Sequence, residues 1–254
     1  MDQLIEGVHV EMGTPPRVMA KKLVGRSLSD LAAAGAQPWA CQWTVVAPSK
    51  NGQVWMSSLC RAFLKASNSY GMPVIGGDLS SGSAVVLTCT VMGLVDKKPP
   101  GRSGAKVGDV LLVTGKLGFA VRSGRHLHPQ PRLALGKRLI KKYAAHAMMD
   151  LSDGLATDLP RLARASKVKA EVKLDSIPCH HPGDWQAALG DGEDYELLVA
   201  LSPRGAKKAL ADPSFAAIGL TQIGRVRAGM GVAWKNAAGE NVAVTSGWEN
   251  RWGS

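Results

Sequence analysis

Carboxylates that stand beside glycine or serine at the ends of regular segments are the residues of this chain best suited to chemistry. They fall in four short motifs: Ser27-Leu28-Ser29-Asp30, Gly76-Gly77-Asp78, Asp150-Leu151-Ser152-Asp153-Gly154 and Gly192-Glu193-Asp194-Tyr195-Glu196. Mg²⁺ takes about six hard oxygen ligands, usually one or two carboxylates with phosphate oxygens and water completing the shell. Asp30, Asp78, Asp150 and Asp153 are therefore candidate metal ligands, joined by Asp2 if the first residues form a strand that enters the same site. Several such ions held against a polyphosphate would make the chain an ATP-using phosphotransferase.

Taken singly, each motif has a plainer reading. Asp30 also suits a solvated helix face, and Gly-Gly-Asp is a common turn composition. An N-cap explains one of Asp150 and Asp153 but hardly both. Glu193, Asp194 and Glu196 fit a solvated turn, a substrate contact or a Ca²⁺ loop, the last disfavoured because the twelve-residue EF-hand spacing is lacking. No GxxxxGK[ST] run occurs, which excludes a P-loop. Thr114-Gly115-Lys116-Leu117-Gly118 suits either an anion cradle or a tight turn. None of the six histidines stands in a Ser-His or Cys-His context, and His180-His181 beside Cys179 lacks the second ligand cluster that zinc requires.

The elements that must position these residues follow from periodicity. Helices are predicted over 17–34, closed by Gly35, and over 53–70, 131–143 and 203–211, with a further helix capped by Ser152 or Asp153 and reaching Ala165. Strands are predicted over 43–47, 73–75, 84–95, 110–114, 147–149, 170–174, 196–201, 221–226 and 242–245. The Asp96-Lys-Lys-Pro-Pro-Gly-Arg102 stretch has a linker's composition and places a domain boundary there, giving domains of residues 1–98 and 99–254. Mixed helix and strand order in both halves predicts an α/β domain followed by an α+β domain.

Composition narrows the class further. At 254 residues the chain needs no staples, and its apolar runs are too short to span a bilayer. Four dispersed cysteines without CxxC spacing, and a start unlike a signal peptide, read as reduced thiols in a cytoplasmic protein. The net charge of +11 is concentrated between Lys97 and Met149, where twelve Lys and Arg face one acid, Asp109. That block suits an anionic partner or a solvated basic face. With only Phe119 and Tyr143 as stacking platforms, phosphate chemistry is favoured over nucleic acid.

Read in order, the motifs resemble thiamine-monophosphate kinase, of the superfamily that includes aminoimidazole ribonucleotide synthetase. The stretches that carry the resemblance are Asp2-Gln-Leu-Ile-Glu-Gly-Val-His9, Leu28-Ser-Asp-Leu-Ala-Ala-Ala-Gly-Ala36, Gly76-Gly-Asp78, residues 102–109, Val113-Thr-Gly115, residues 150–155, residues 192–197 and Gly247-Trp248. The resemblance implies an N-terminal α/β domain that forms a homodimer through its mixed sheet, then a C-terminal α+β domain, with ATP between them. It implies Asp2, Asp30, Asp78, Asp150 and Asp153 as Mg²⁺ ligands. Gly77, Asp78, Arg102 and Ser152 would contact ATP; His9, Glu193 and Trp248 would hold thiamine monophosphate, Trp248 by stacking. It also implies about one strand and one helix ahead of Asp2, with a Gly-Asp-Asp segment that this sequence does not include. Leu79-Ser80-Ser81 stands where the family favours Thr-Thr-Arg, and Asp191 where a small residue is usual. The alternatives are another ATP-using member of the superfamily or a non-catalytic remnant with a binding or scaffold role.

Overall fold

In the computed structural model, which describes residues 1–245 and 247, two sheets flank one central helix. β1 (Asp2–Ile5), β2 (Gln37–Ala47), β3 (Val74–Ser81) and β4 (Val86–Leu94) form a four-stranded sheet in the order β1-β4-β2-β3. The helix α2 (Gly52–Asn68) supplies the crossover that lets β3 run parallel to β2, while β4 is antiparallel to β1 and β2. Strand alternation sends Leu4, Trp43, Val45, Leu87 and Cys89 into a core under α1 (Pro16–Ala34) and α2, where Trp43 stacks on Phe63 with centroids 4.0 Å apart. Gln3, Gln42, Thr44, Asp78 and Thr88 occupy the opposite, helix-free face. The Gly-Gly-Asp motif is thus strand rather than turn. At Gly77 a Cβ would lie 2.0 Å from the Trp43 carbonyl oxygen, so the approach of β3 to β2 admits no side chain.

The second sheet has six strands in the order β10-β7-β9-β5-β8-β6: β5 (Val110–Thr114), β6 (Ala147–Leu151), β7 (Lys169–Lys173), β8 (Glu196–Leu201), β9 (Leu220–Arg227) and β10 (Gly231–Lys235). Only β10 and β7 pair in parallel. α4 (Leu155–Ser166) and α5 (Trp185–Gly190) cover one face; α3 (Leu133–Tyr143) and α6 (Pro203–Leu210) cover the other. Covered on both faces, β5, β6 and β8 are buried throughout, which is why they read as unbroken apolar runs. α1 packs against both halves, touching β4 on one side and α3 and β6 on the other. The two-part α/β and α+β reading holds.

Three expectations need correction. Among the described residues the final strand is β10, not 242–245: Val242 donates its N–H to Trp234 O at 2.9 Å, and Val242 and Val244 pack on the core as irregular chain. Their β-branched alternation mimics a strand. The helix after Asp150 is not capped by Ser152 or Asp153; Gly154 holds the N-cap position with φ 95°. α5, with Asp184 capping it through the Ala187 amide, is too short to show a period. The basic block is also less open than its composition suggests. Six of its twelve cations pair with acids from outside the block: Arg125 with Asp194, Arg132 with Glu196, Arg138 and Lys142 with Asp212, and Lys137 and Lys141 with Asp96.

Candidate active site

Lys22, Arg26 and Asp30 recur every fourth residue and so share one face of α1. Lys22 has no exposed side-chain surface; its ammonium donates to the His9 carbonyl at 2.6 Å and pairs with the Glu193 carboxylate. One buried cation therefore ties the loop after β1 to the turn before β8. Burial lowers the Lys22 pKa, and Glu193 opposes the shift. Glu193 itself adopts φ 57°, and its N–H donates to Ser152 O at 2.7 Å. His9 Nδ1 accepts the Ile5 N–H at 2.9 Å, which puts the ring proton on Nε2. Burial, with Arg26 adding, pushes His9 down to about 4, so the ring is neutral near pH 7.

On the second half, Asp158 of α4 reaches back to accept the Ser152 and Asp153 amides, each at 3.0 Å, and Arg161 pairs with both Asp153 and Asp158. Burial, and then repulsion from Asp153, raises Asp158 to about 6. A third wall is the loop after β5. Its Gly118 amide donates to both Asp194 oxygens, Phe119 N–H to Asp191 at 2.9 Å, and Arg125 to Asp194 at 3.0 Å. Burial still pushes Asp194 up to about 7, against Gly118 and Arg125. The walls enclose a cavity of about 600 Å³, lined by His9 and its neighbours, Arg26, residues 121–124, 126 and 127, Ser152, Asp153, Asp191 and Glu193. That volume lies in the range of sites for one small-molecule substrate.

Of the residues singled out from sequence, His9, Ser152, Asp153 and Glu193 line this cavity together. Asp2, Asp30 and Asp150 form an acidic group beside it. Burial, then the charges of Asp30, Asp158 and Asp2, push Asp150 up to about 7, with Ser29 working the other way. Burial also raises Asp2, with Arg26 opposing and Asp30 adding. Gly77, Asp78 and Arg102 are elsewhere. Asp78 is on the edge strand β3 and faces the helix-free side, whereas Asp2 faces α1. Arg102 lies between the halves, its carbonyl accepting from Ser166 at 2.7 Å. Trp248 lies outside the described residues; Gly247 packs so closely on Asp153 that a Cβ would come 2.4 Å from its carbonyl oxygen.

The AIR synthase related N-terminal domain model matches residues 1–95, and the C-terminal domain model matches residues 106–235. The thiamine-monophosphate kinase of Rhodopirellula baltica is 32% identical over 249 residues, spanning 93% of this chain and 77% of that protein. The chain belongs to the thiamine-monophosphate kinase branch of the AIR synthase related family. The crystal structure of the Stenotrophomonas maltophilia kinase superposes with a TM-score of 0.83 at 30% identity, covering 95% of this chain and 84% of that one. The solved complex of AaThiL with AMPPCP and TMP gives 0.84 at 27% identity, covering 97% and 84%.

For a family member the remaining question is the metal. Among the described residues no three His, Cys, Asp or Glu side chains form a ready-made cage. Mg²⁺ needs only one or two carboxylates when phosphate oxygens complete its shell, and the Asp150 charge, disfavoured first by burial and then by Asp30, Asp158 and Asp2, is one that a nearby cation would relieve. The acidic group fits that ion. Three residues were not evident from sequence, Lys22, Arg26 and Asp158, and Asp191 stood out only as a departure from the family pattern. A signal existed for the first two, since cations at 22 and 26 followed by Asp30 interrupt the apolar face of a helix at its own period. Asp158 and Asp191 act on backbone amides, which no side-chain motif records.

Proposed function

We propose that this chain is a cytoplasmic, Mg²⁺-dependent kinase that moves the γ-phosphoryl of ATP onto thiamine monophosphate, yielding thiamine diphosphate and ADP. The observation that carries this reading is the cavity itself, in which His9, Ser152, Asp153 and Glu193 converge from both halves of a fold that matches, over 97% of the chain, a relative solved with AMPPCP and TMP. Four unpaired cysteines accord with a reducing compartment.

An acceptor phosphate is already ionised near neutral pH, so its attack needs no general base; the obstacle is repulsion between two anions. Neutral His9 lines the cavity without repelling a cationic thiazolium. Glu193, anchored by Lys22, supplies the negative charge that such a ring favours, and Trp248 would stack on it. The resemblance assigns Gly77, Asp78, Arg102 and Ser152 to ATP; of these Ser152 lines the cavity, its amide being oriented through Asp158. Asp2, Asp30, Asp150 and Asp153 would hold Mg²⁺, which when bound neutralises phosphate charge and aligns the two partners.

A homodimer through the helix-free face of the first sheet belongs to the same reading. Gln42, Thr44 and Asp78 are exposed there beside half-buried Thr88 and Thr90. In that dimer Asp78 lies at the interface rather than in its own chain's cavity. The test is a coupled assay for ADP release with ATP and Mg²⁺. Release that depends on thiamine monophosphate is expected, and equal release with and without the acceptor overturns the reading.

A further inference from the structure

We infer that Arg26 is the residue that recognises the acceptor's phosphate monoester. This deepens the kinase reading and rests on it. Arg26 lines the cavity, yet its side chain is only 12% exposed. Its Nε and Nη1 are buried and have no hydrogen-bond partner among the described residues. The nearest acid is Asp2, with Oδ1 3.4 Å from Nε, an ion pair that lacks hydrogen-bond alignment. A buried donor left unsatisfied is costly, and more so when charged, so a guanidinium in this state is suited to a ligand that brings acceptors.

The neighbouring charges decide which ligand. Glu193 is held by Lys22, Asp153 by Arg161, and Asp191 accepts the Phe119 amide. These three carboxylates are thus engaged by their own partners, whereas Nε and Nη1 of Arg26 are not. Burial opposes the Arg26 charge, but Tyr195, Asp2, Glu193 and Asp153 together hold its pKa above the ordinary value. The planar fork of a guanidinium matches two oxygens of a phosphate better than it matches an alcohol or a neutral ring. The position is four residues from Lys22 and so adjacent to the Glu193 anchor, where a ligand's cationic and anionic ends can be held apart.

Equilibrium binding to the full chain separates the possibilities, using thiamine monophosphate, thiamine and AMPPCP as probes on wild type, Arg26→Met and Arg26→Lys. Wild type is expected to bind thiamine monophosphate more tightly than thiamine. Arg26→Met should weaken thiamine monophosphate at least tenfold while thiamine and AMPPCP stay within twofold. Arg26→Lys, which keeps the charge but loses the fork, should lose at least threefold in the same selective way and covers the case of a misfolded Arg26→Met. Thiamine monophosphate affinity unchanged in the variants that fold overturns the assignment, as does a wild type that fails to distinguish the two thiamines. Selective loss of AMPPCP would place Arg26 on the nucleotide, and equal loss of all three would make it a structural partner of Asp2; either result overturns the inference. Selective acceptor recognition without any turnover would instead refute the kinase reading and leave this one standing.

Discussion

Lys22 is the residue on which the cavity's two walls depend, because its ammonium has no solvent to fall back on. Removing one partner of a buried ion pair costs about 3–5 kcal/mol, largely through the charge left behind. Lys22→Met should therefore lower stability by about that amount in urea unfolding, and the double variant with Glu193→Gln should recover part of it; additive losses would show that the pair is not coupled. Asp150 behaves differently. Its raised value of about 7 means that the folded state binds more protons than the unfolded chain between about pH 4 and 7. The Asp150 contribution to stability is fully present at low pH and is lost as pH rises through that window. Without Mg²⁺, Asp150→Asn should raise Tm relative to wild type at pH 8, with the gain shrinking toward pH 4, and should still abolish most turnover. An equal Tm difference at both pH values would contradict the assignment of its charge state.

The elements hold these residues through close backbone approaches. Gly136 of α3 crosses α1 where a Cβ would lie 1.9 Å from the Ala32 carbonyl oxygen. Gly136→Ala forces the two helices apart, and overpacking of this kind typically costs about 1–3 kcal/mol. A lowered Tm together with a raised acceptor KM is expected, since α1 carries both Lys22 and Arg26; an unchanged Tm would mean that the crossing yields easily. At this scale much was legible from sequence. The two-sided burial of β5, β6 and β8 shows as continuous apolar runs, and Gly35 marks the end of α1 with φ 62°. The illegible parts share a cause. β10 contains Gly231 and two strand-neutral positions, α5 has six residues and so shows no period, and α4 begins at Gly154 without a side-chain cap, its Asp158 instead accepting the Ser152 and Asp153 amides ahead of the helix.

For the whole molecule, charge and assembly are the open terms. Half of the basic block is engaged in ion pairs that pin α3 and the loop after β5, which accounts for cations that composition alone assigns to an outside partner. Motif order located the cavity's His9, Ser152, Asp153 and Glu193, but the sequence could not say that Asp78 faces away from Asp2, because that depends on strand parity across a four-stranded sheet. Thr88→Arg, in the middle of the helix-free face, should turn a dimer into a monomer in sedimentation; a monomeric wild type, or a dimer that survives the change, would contradict the proposed interface. Direct transfer between two phosphate groups in one cavity leaves a trace that an isotope can follow. Its most direct test follows the label from [γ-³²P]ATP after incubation with Mg²⁺ and thiamine monophosphate. Label in thiamine diphosphate is predicted, and label only in inorganic phosphate would contradict the account.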